Sequence, residues 1–229
     1  MRKFIPMLVL AGLVLASLAC GGGTPSDGST TGGGGDTSSN ALFSDDFSDS
    51  GSGWDEDVSD TSTVGYDNGK YVIGITTESW LAWANPGKRN LSNIHIEVTA
   101  RNTGEAQDAG FGIICNSTPD GDFYYLAMSV DGYFVIAKKE GEDTIALSDP
   151  DNQWITSDVI PVNATSYQLG ADCANGTLTL YVNGDEVGSA EDDTFTRGDV
   201  GLIAATFSGT DSSASAEVTF DSFEVTQLE

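Results

Sequence analysis

Basic residues are scarce in this chain. It carries 9 lysines and arginines against 35 aspartates and glutamates in 229 residues, a net charge of −26. A body of that sign is repelled by polyanions, which excludes nucleic acid and anionic lipid headgroups as partners. Histidine is scarcer still, with His95 alone. A zinc centre draws on several His or Cys side chains. A serine triad would have to use His95, and no Gly-x-Ser-x-Gly elbow accompanies it. The 3 cysteines have no partner cysteine two residues away, so the C-x-x-C signatures of redox and metal sites are missing. Apolar spacing of three and four is absent after residue 40, which argues against helices. No apolar run after Leu18 is long enough for a membrane span, which needs about 20 residues.

What is present begins at the N-terminus. Arg2 and Lys3 precede an almost wholly apolar run from Ile5 to Leu18. The run is about fourteen residues, the length of a secretory signal core and short of a spanning helix. Small Ala19 then precedes Cys20. Ser17-Leu18-Ala19-Cys20 resembles the lipobox of bacterial lipoproteins, with the leucine one place late. The resemblance implies that residues 1–19 are a signal peptide and that Cys20 carries acyl chains such as palmitate. The protein would be exported and lipid-anchored to the cell membrane or outer membrane, facing outside the cytoplasm. It would touch the membrane through that anchor only. Residues 21–40 are Gly, Ser and Thr with little else. They read as a flexible tether with an r.m.s. span of about 25 Å.

Removing the signal leaves 7 basic against 35 acidic residues, or −28. The acids are spread over loops, as at Asp45, Asp46, Asp49, Asp55, Glu56 and Asp57. They read as a soluble, self-repelling surface. Ca²⁺ held by some of these loops is the sharper alternative, since an exported protein meets that ion. Asp46 with Asp221 is the metal pair expected if the first and last strands lie side by side. With Cys20 used as the anchor, Cys115 and Cys173 remain. Each ends a strand-like run, GFGIIC and YQLGADC, and an even pair in an exported domain predicts a disulfide between neighbouring strands.

Residues 41–229 read as a single all-β domain. In Asn93 to Arg101, Ile94, Ile96, Val98 and Ala100 alternate with polar neighbours; in Thr177 to Asn183, Leu178, Leu180 and Val182 do the same. Such alternation marks a strand with one face on a core and the other wet or lining a groove. Hairpins are predicted at Asp131-Gly132, joining Phe123–Val130 to Tyr133–Lys138, and at Asn183-Gly184. Further strands are expected at 70–75, 80–84, 110–115, 167–172, 200–206 and 217–225. About ten antiparallel strands in two packed sheets follow.

The order of segments is familiar. Asp45-Asp46-Phe47 and Trp54 lead to Gly69-Lys70-Tyr71-Val72-Ile73. Gly110-Phe-Gly-Ile-Ile114 leads to Tyr124-Tyr125 and Asp131-Gly132-Tyr133. Leu178-Thr-Leu-Tyr-Val-Asn-Gly184, Gly198-Asp-Val-Gly-Leu202 and Val218-Thr-Phe-Asp-Ser-Phe223 close it. Over residues 42–227 this resembles the concanavalin A-like lectin/glucanase jelly roll. It is similar to exported bacterial domains called DUF1080 or 3-keto-disaccharide hydrolase-like, and to laminin G-like modules. The resemblance implies an antiparallel two-sheet jelly-roll sandwich and a carbohydrate partner.

Glycoside hydrolysis needs two carboxyl groups about 5–5.5 Å or about 6.5–9.5 Å apart. Glucanases of this fold carry them as Glu-x-Asp-x-x-Glu on one strand, and that string is absent here. Glu217 and Asp221 share a strand face, but four residues put them about 13 Å apart. His95, Glu97 and Arg101 share one strand face as a small polar group. Among the aromatics, Trp80, Trp83 and Tyr125 are candidates to stack on sugar C–H faces, with His95, Glu97 and Arg101 as candidate hydroxyl partners. Trp80 and Trp83 lie three apart, so one is expected in the core and one outside. The expected function is a surface-tethered, non-catalytic lectin-like domain. The rivals are a glycoside hydrolase-type or 3-keto-disaccharide hydrolase-like enzyme, and a structural or adhesion lipoprotein contacting other envelope proteins.

Overall fold

The computed structural model describes residues 41–87, 89–208 and 215–229. The expected signal peptide, Cys20 and the expected tether lie outside the described residues.

No described residue is helical. Sixteen strands follow one another: β1 (Ala41–Asp45), β2 (Asp57–Val58), β3 (Ser62–Asp67), β4 (Lys70–Ile75), β5 (Leu81–Ala84), β6 (Ile94–Asn102), β7 (Gly110–Ser117), β8 (Phe123–Ser129), β9 (Tyr133–Glu140), β10 (Asp143–Ala146), β11 (Ile155–Thr156), β12 (Tyr167–Ala174), β13 (Thr177–Val182), β14 (Asp185–Glu191), β15 (Asp199–Ala205) and β16 (Ala216–Gln227). They form two antiparallel sheets. The larger runs β14-β13-β12-β6-β16-β4-β3-β2, with β1 also on β16; the smaller runs β10-β9-β8-β7-β15-β5, with β11 on β9. The pairing is that of a jelly-roll sandwich, as the sequence predicts.

β16 organises the larger sheet. β4 pairs with its first half, Ala216 to Phe220, and β1 with its second half, Phe223 to Thr226. Between them the register slips at Asp221 to Glu224, where Ser222 takes a φ of 55°. That bulge lets one strand hold two partners along the same edge. First and last strands are therefore neighbours, as expected.

Asparagine–glycine steps turn the chain. Asn68-Gly69, Asn175-Gly176 and Asn183-Gly184 all have positive φ, which suits two-residue hairpin turns. Gly132 at the predicted β8–β9 turn has a φ of 96°.

Between the sheets lies one core. It takes Ile94, Ile96, Val98 and Ala100 from β6, and Phe111, Ile113, Tyr124, Leu126 and Met128 from β7 and β8. Cys115 and Cys173 are disulfide-bonded, with Cα atoms 6.6 Å apart. They were expected on neighbouring strands. Instead Cys115 lies on β7 of the smaller sheet and Cys173 on β12 of the larger, so the bridge crosses the core and ties the layers together.

The two sheets differ in their outer faces. On the larger sheet β6 alternates buried with partly exposed residues, as its sequence predicts. On the smaller sheet β7 and β8 are buried at every position. Ile114, Phe123, Tyr125, Ala127, Val135, Ala137 and Ile203 form a second apolar cluster there, separate from the core.

Candidate functional site

The outward positions of the smaller sheet set its chemistry. β7 supplies Gly110, Gly112 and Ile114; β8 Phe123, Tyr125 and Ala127; β9 Val135, Ala137 and Lys139. β15 adds Gly201, Ile203 and Ala205, and β5 adds Leu81 and Trp83. None of these is acidic, so this stretch of sheet has no carboxylate pair for glycoside hydrolysis.

The floor is made of small side chains and the margins of rings. Trp83 and Phe123 have centroids 5.4 Å apart, and Phe123 and Tyr125 6.4 Å. Trp83 is on β5 and Phe123 on β8, with β15 and β7 between them. At about 4.8 Å per strand, a flat sheet would separate those backbones by about 14 Å. The rings meet because the sheet curls toward this face. Lys139 closes the group, its Nζ 5.4 Å from the Trp83 centroid and 5.6 Å from that of Phe123. The ammonium is fixed there by the carbonyls of Gly121 (3.1 Å) and Gly141 (2.7 Å).

Tyr125 supplies a second polar group of this face, beside the Lys139 ammonium. Burial pushes its hydroxyl up to about 12, so it is a neutral donor and acceptor at physiological pH. Among the described residues it has no hydrogen-bond partner. At the other margin Trp154 packs on the cluster, with Phe207 at 5.1 Å centroid to centroid.

The residues singled out in the sequence separate onto opposite sides of the molecule. Trp83 and Tyr125 share the outer face of the smaller sheet. Trp80 was to divide with Trp83 between core and surface; both are exposed, Trp80 at 42% and Trp83 at 36%. Neither is core because β5 is an edge strand, and Trp80 lies just ahead of it, tied to Thr206 by backbone and hydroxyl bonds.

His95 and Glu97 lie on the outer face of the larger sheet. Across from them on β12 is Asp172, whose Oδ1 is 2.6 Å from His95 Nδ1. Glu97 Oε1 is 3.4 Å from His95 Nε2, and Gln168 donates to the other Glu97 oxygen at 3.0 Å. Tyr181 donates to the second Asp172 oxygen at 2.9 Å; burial and then this bond raise its phenol above the usual range. Gly170 makes room, since a Cβ there would lie 3.2 Å from Tyr181 Cβ and 3.4 Å from His95 Cε1. Arg101 is further along β6, exposed, and joins none of these pairs. Asp172 and Gln168 were not singled out in the sequence. Their only signal was their place on β12, the strand beside β6.

Asp46 and Asp221 lie near one another in sequence register, beside the β1–β16 pairing. Asp221 forms an ion pair with Lys70. Asp46 accepts from the Ser48 amide (3.0 Å) and hydroxyl (2.7 Å), and the hydroxyl bond comes first in holding its carboxyl below the usual range. Next to it, Asp45 is buried and binds the Trp54 indole N–H at 3.0 Å. Among the described residues no group of three or more His, Cys, Asp or Glu is placed to hold a metal ion.

No family model matches this chain, and no curated protein does. Solved structures do match its fold. A carbohydrate-binding module, CBM66, from Bacillus subtilis is 16% identical, covers 76% of this chain and 96% of its own, and superposes with a TM-score of 0.51. A Bacillus subtilis protein of unknown function with a galectin-like fold is 11% identical, with 82% and 96% coverage and a TM-score of 0.59. A Bacillus licheniformis β-glucanase is 10% identical, with 81% and 98% coverage and a TM-score of 0.57. At these identities the likeness is one of fold. The chain has the concanavalin A-like jelly roll that its segment order resembles.

Proposed function

We propose that this chain is a non-catalytic, lectin-like module that binds glycan on the outer face of its smaller sheet. The observation that carries the reading is the exposed indole of Trp83, backed by the buried rings of Phe123 and Tyr125. A sugar ring presents C–H faces that stack on an indole, and the Trp83 ring is exposed for that contact beside the Lys139 ammonium. Outward positions free of acid support binding over hydrolysis. The fold's occurrence in a carbohydrate-binding module and a β-glucanase supports a saccharide partner. Anchoring at Cys20 belongs to the same proposal and would place the module outside the cytoplasm; radiolabelled palmitate incorporation that survives in the wild type and is lost in Cys20→Ala tests it.

The direct test is titration of the full chain with a panel of soluble polysaccharides, followed calorimetrically. At least one polymer is expected to bind, and Trp83→Ala to weaken it about tenfold or more while leaving the melting temperature within about 2 °C. A panel without any binder, or binding indifferent to Trp83→Ala, overturns the reading.

A hydrolase reading rests on a different observation, the imidazole of His95 bracketed by Asp172 and Glu97. It predicts release of reducing sugar that His95→Ala abolishes. Hydrolysis lost on that substitution would move the function to the larger sheet.

A further inference from the structure

Loops at one end of the sandwich enclose a cavity of about 700 Å³. Asn85 and Arg89 reach it from the segment after β5, Ser117 and Thr118 from the end of β7, and Arg197 and Asp199 from the approach to β15. Its size is that of a small-ligand pocket, for which about 300–1,000 Å³ is usual.

Backbone bonds build this cavity. Leu91 and Gly198 form an isolated antiparallel bridge, with N–H to carbonyl distances of 2.8 and 3.0 Å in the two directions. Gly198 is obligatory, because a Cβ there would lie 2.3 Å from the Ser117 carbonyl oxygen. The segments bearing Arg89, Arg197 and Ser117 are thereby held to one another before any ligand arrives, which lowers the ordering cost of binding.

The charge in the cavity runs against that of the chain. Where acids outnumber bases 35 to 9, arginines should find carboxylates. Lys70 and Lys138 do, with Asp221 and Asp192. Arg89 and Arg197 make no ion pair among the described residues. The Arg89 guanidinium lies 3.6 Å from the Phe43 ring centroid, and its Nε is buried without a hydrogen-bond partner. A buried donor left unpaired is destabilising unless something binds it. The two guanidinium groups stand against the carboxylate of Asp199, with Asp55 bonded at 3.0 Å to the backbone amide of Asn85 behind it. Planar guanidinium groups pair with carboxylates in a two-point fork. The hydroxyls of Ser117 and Thr118 and the amide of Asn85 can meet sugar hydroxyls.

We propose that this end cavity binds the carboxylate of an acidic sugar, a uronate or sialate unit of a glycan, with Arg89 and Arg197 on the carboxylate. The site shares no residue with the sheet face and does not rest on that reading.

Titration of the full chain with D-glucuronate, N-acetylneuraminate, glucose and inorganic sulfate tests it. One acidic sugar is expected to bind at least tenfold more tightly than glucose, and the two acids separate the uronate from the sialate source. Exposed Arg197 can be changed without touching the core, so Arg197→Gln should weaken binding about tenfold at unchanged melting temperature. Arg89→Lys keeps the charge and loses the fork, and should weaken it as well. Trp83→Ala should leave acidic-sugar binding intact, which distinguishes failure of this site from failure of the sheet face. Equal binding of glucose, sulfate competing as strongly as the sugars, or indifference to Arg197→Gln overturns the proposal.

Discussion

Trp154 stands over Gly110 so closely that a Cβ on the glycine would lie 2.6 Å from the indole Cη2. The absent side chain at Gly110 is what lets the indole lie on β7. Gly110→Ala should therefore lift Trp154, at a cost of about 1–3 kcal/mol, and shift tryptophan emission to the red. The cost should shrink in a Trp154→Ala background, because the two positions are in contact and their effects do not add. Equal costs in both backgrounds would show that the pair is not coupled.

Cys115 and Cys173 are 58 residues apart in sequence and join the two sheets. Closing a loop of that length contributes about 4 kcal/mol in the chain-entropy model. The double substitution Cys115→Ala/Cys173→Ala should lower the melting temperature by roughly 10 °C in a domain of this size. Reducing agent should lower the wild type similarly and leave the variant unmoved. A fall under about 2 °C would mean that the core alone holds the sheets together.

Asp199 gives a pH dependence with a definite sign. Burial, the largest influence, pushes its carboxyl up to about 6, against the Val200 amide at 2.9 Å and the charge of Arg89, and Asp55 adds to the rise. The folded state thus binds this proton more tightly than the unfolded chain, whose carboxyl has the ordinary value of 3.8. The contribution to stability is full below about pH 4, declines as pH rises toward 6, and is flat and unfavourable above it. Asp199→Asn should lose that slope and melt higher than the wild type at pH 7, by a margin that solvent screening of a half-buried group keeps small. Melting curves at half-unit steps from pH 4 to 8 measure the difference, and a variant less stable at pH 7 would contradict this assignment.

Much of the architecture was legible because one face of a sheet was wet. On β6, Ile94 to Ala100 alternate with polar neighbours, and the strand is found where the alternation lies. Asn183-Gly184 and Asp131-Gly132 announce hairpins for the same local reason, the low cost of positive φ at Asn and Gly. β1, β2, β3, β10 and β11 were not predicted. β2, β10 and β11 are short, and Ser62–Asp67 shows weak alternation, although Asn68-Gly69 follows it.

The candidate site was legible only in part. The period of two puts Phe123 and Tyr125 on the face opposite Tyr124 and Leu126 without saying which face meets the core. Nothing in the spacing could place Trp83 beside Phe123, since two strands of a curled sheet lie between residues 40 positions apart. Arg89 and Arg197 passed unnoticed because they are more than a hundred residues apart until the Leu91–Gly198 bridge joins their loops.

Local rules act over a few residues: alternation, turn dipeptides and an apolar leader can be read along the chain, so strand positions and an all-β class were decided by the sequence itself. Which outer face is apolar, that the disulfide crosses between layers, and that two unpaired arginines share one cavity were decided by sheet order and curl. Those depend on contacts between segments tens of residues apart, and such contacts exist only once the core has brought the layers together.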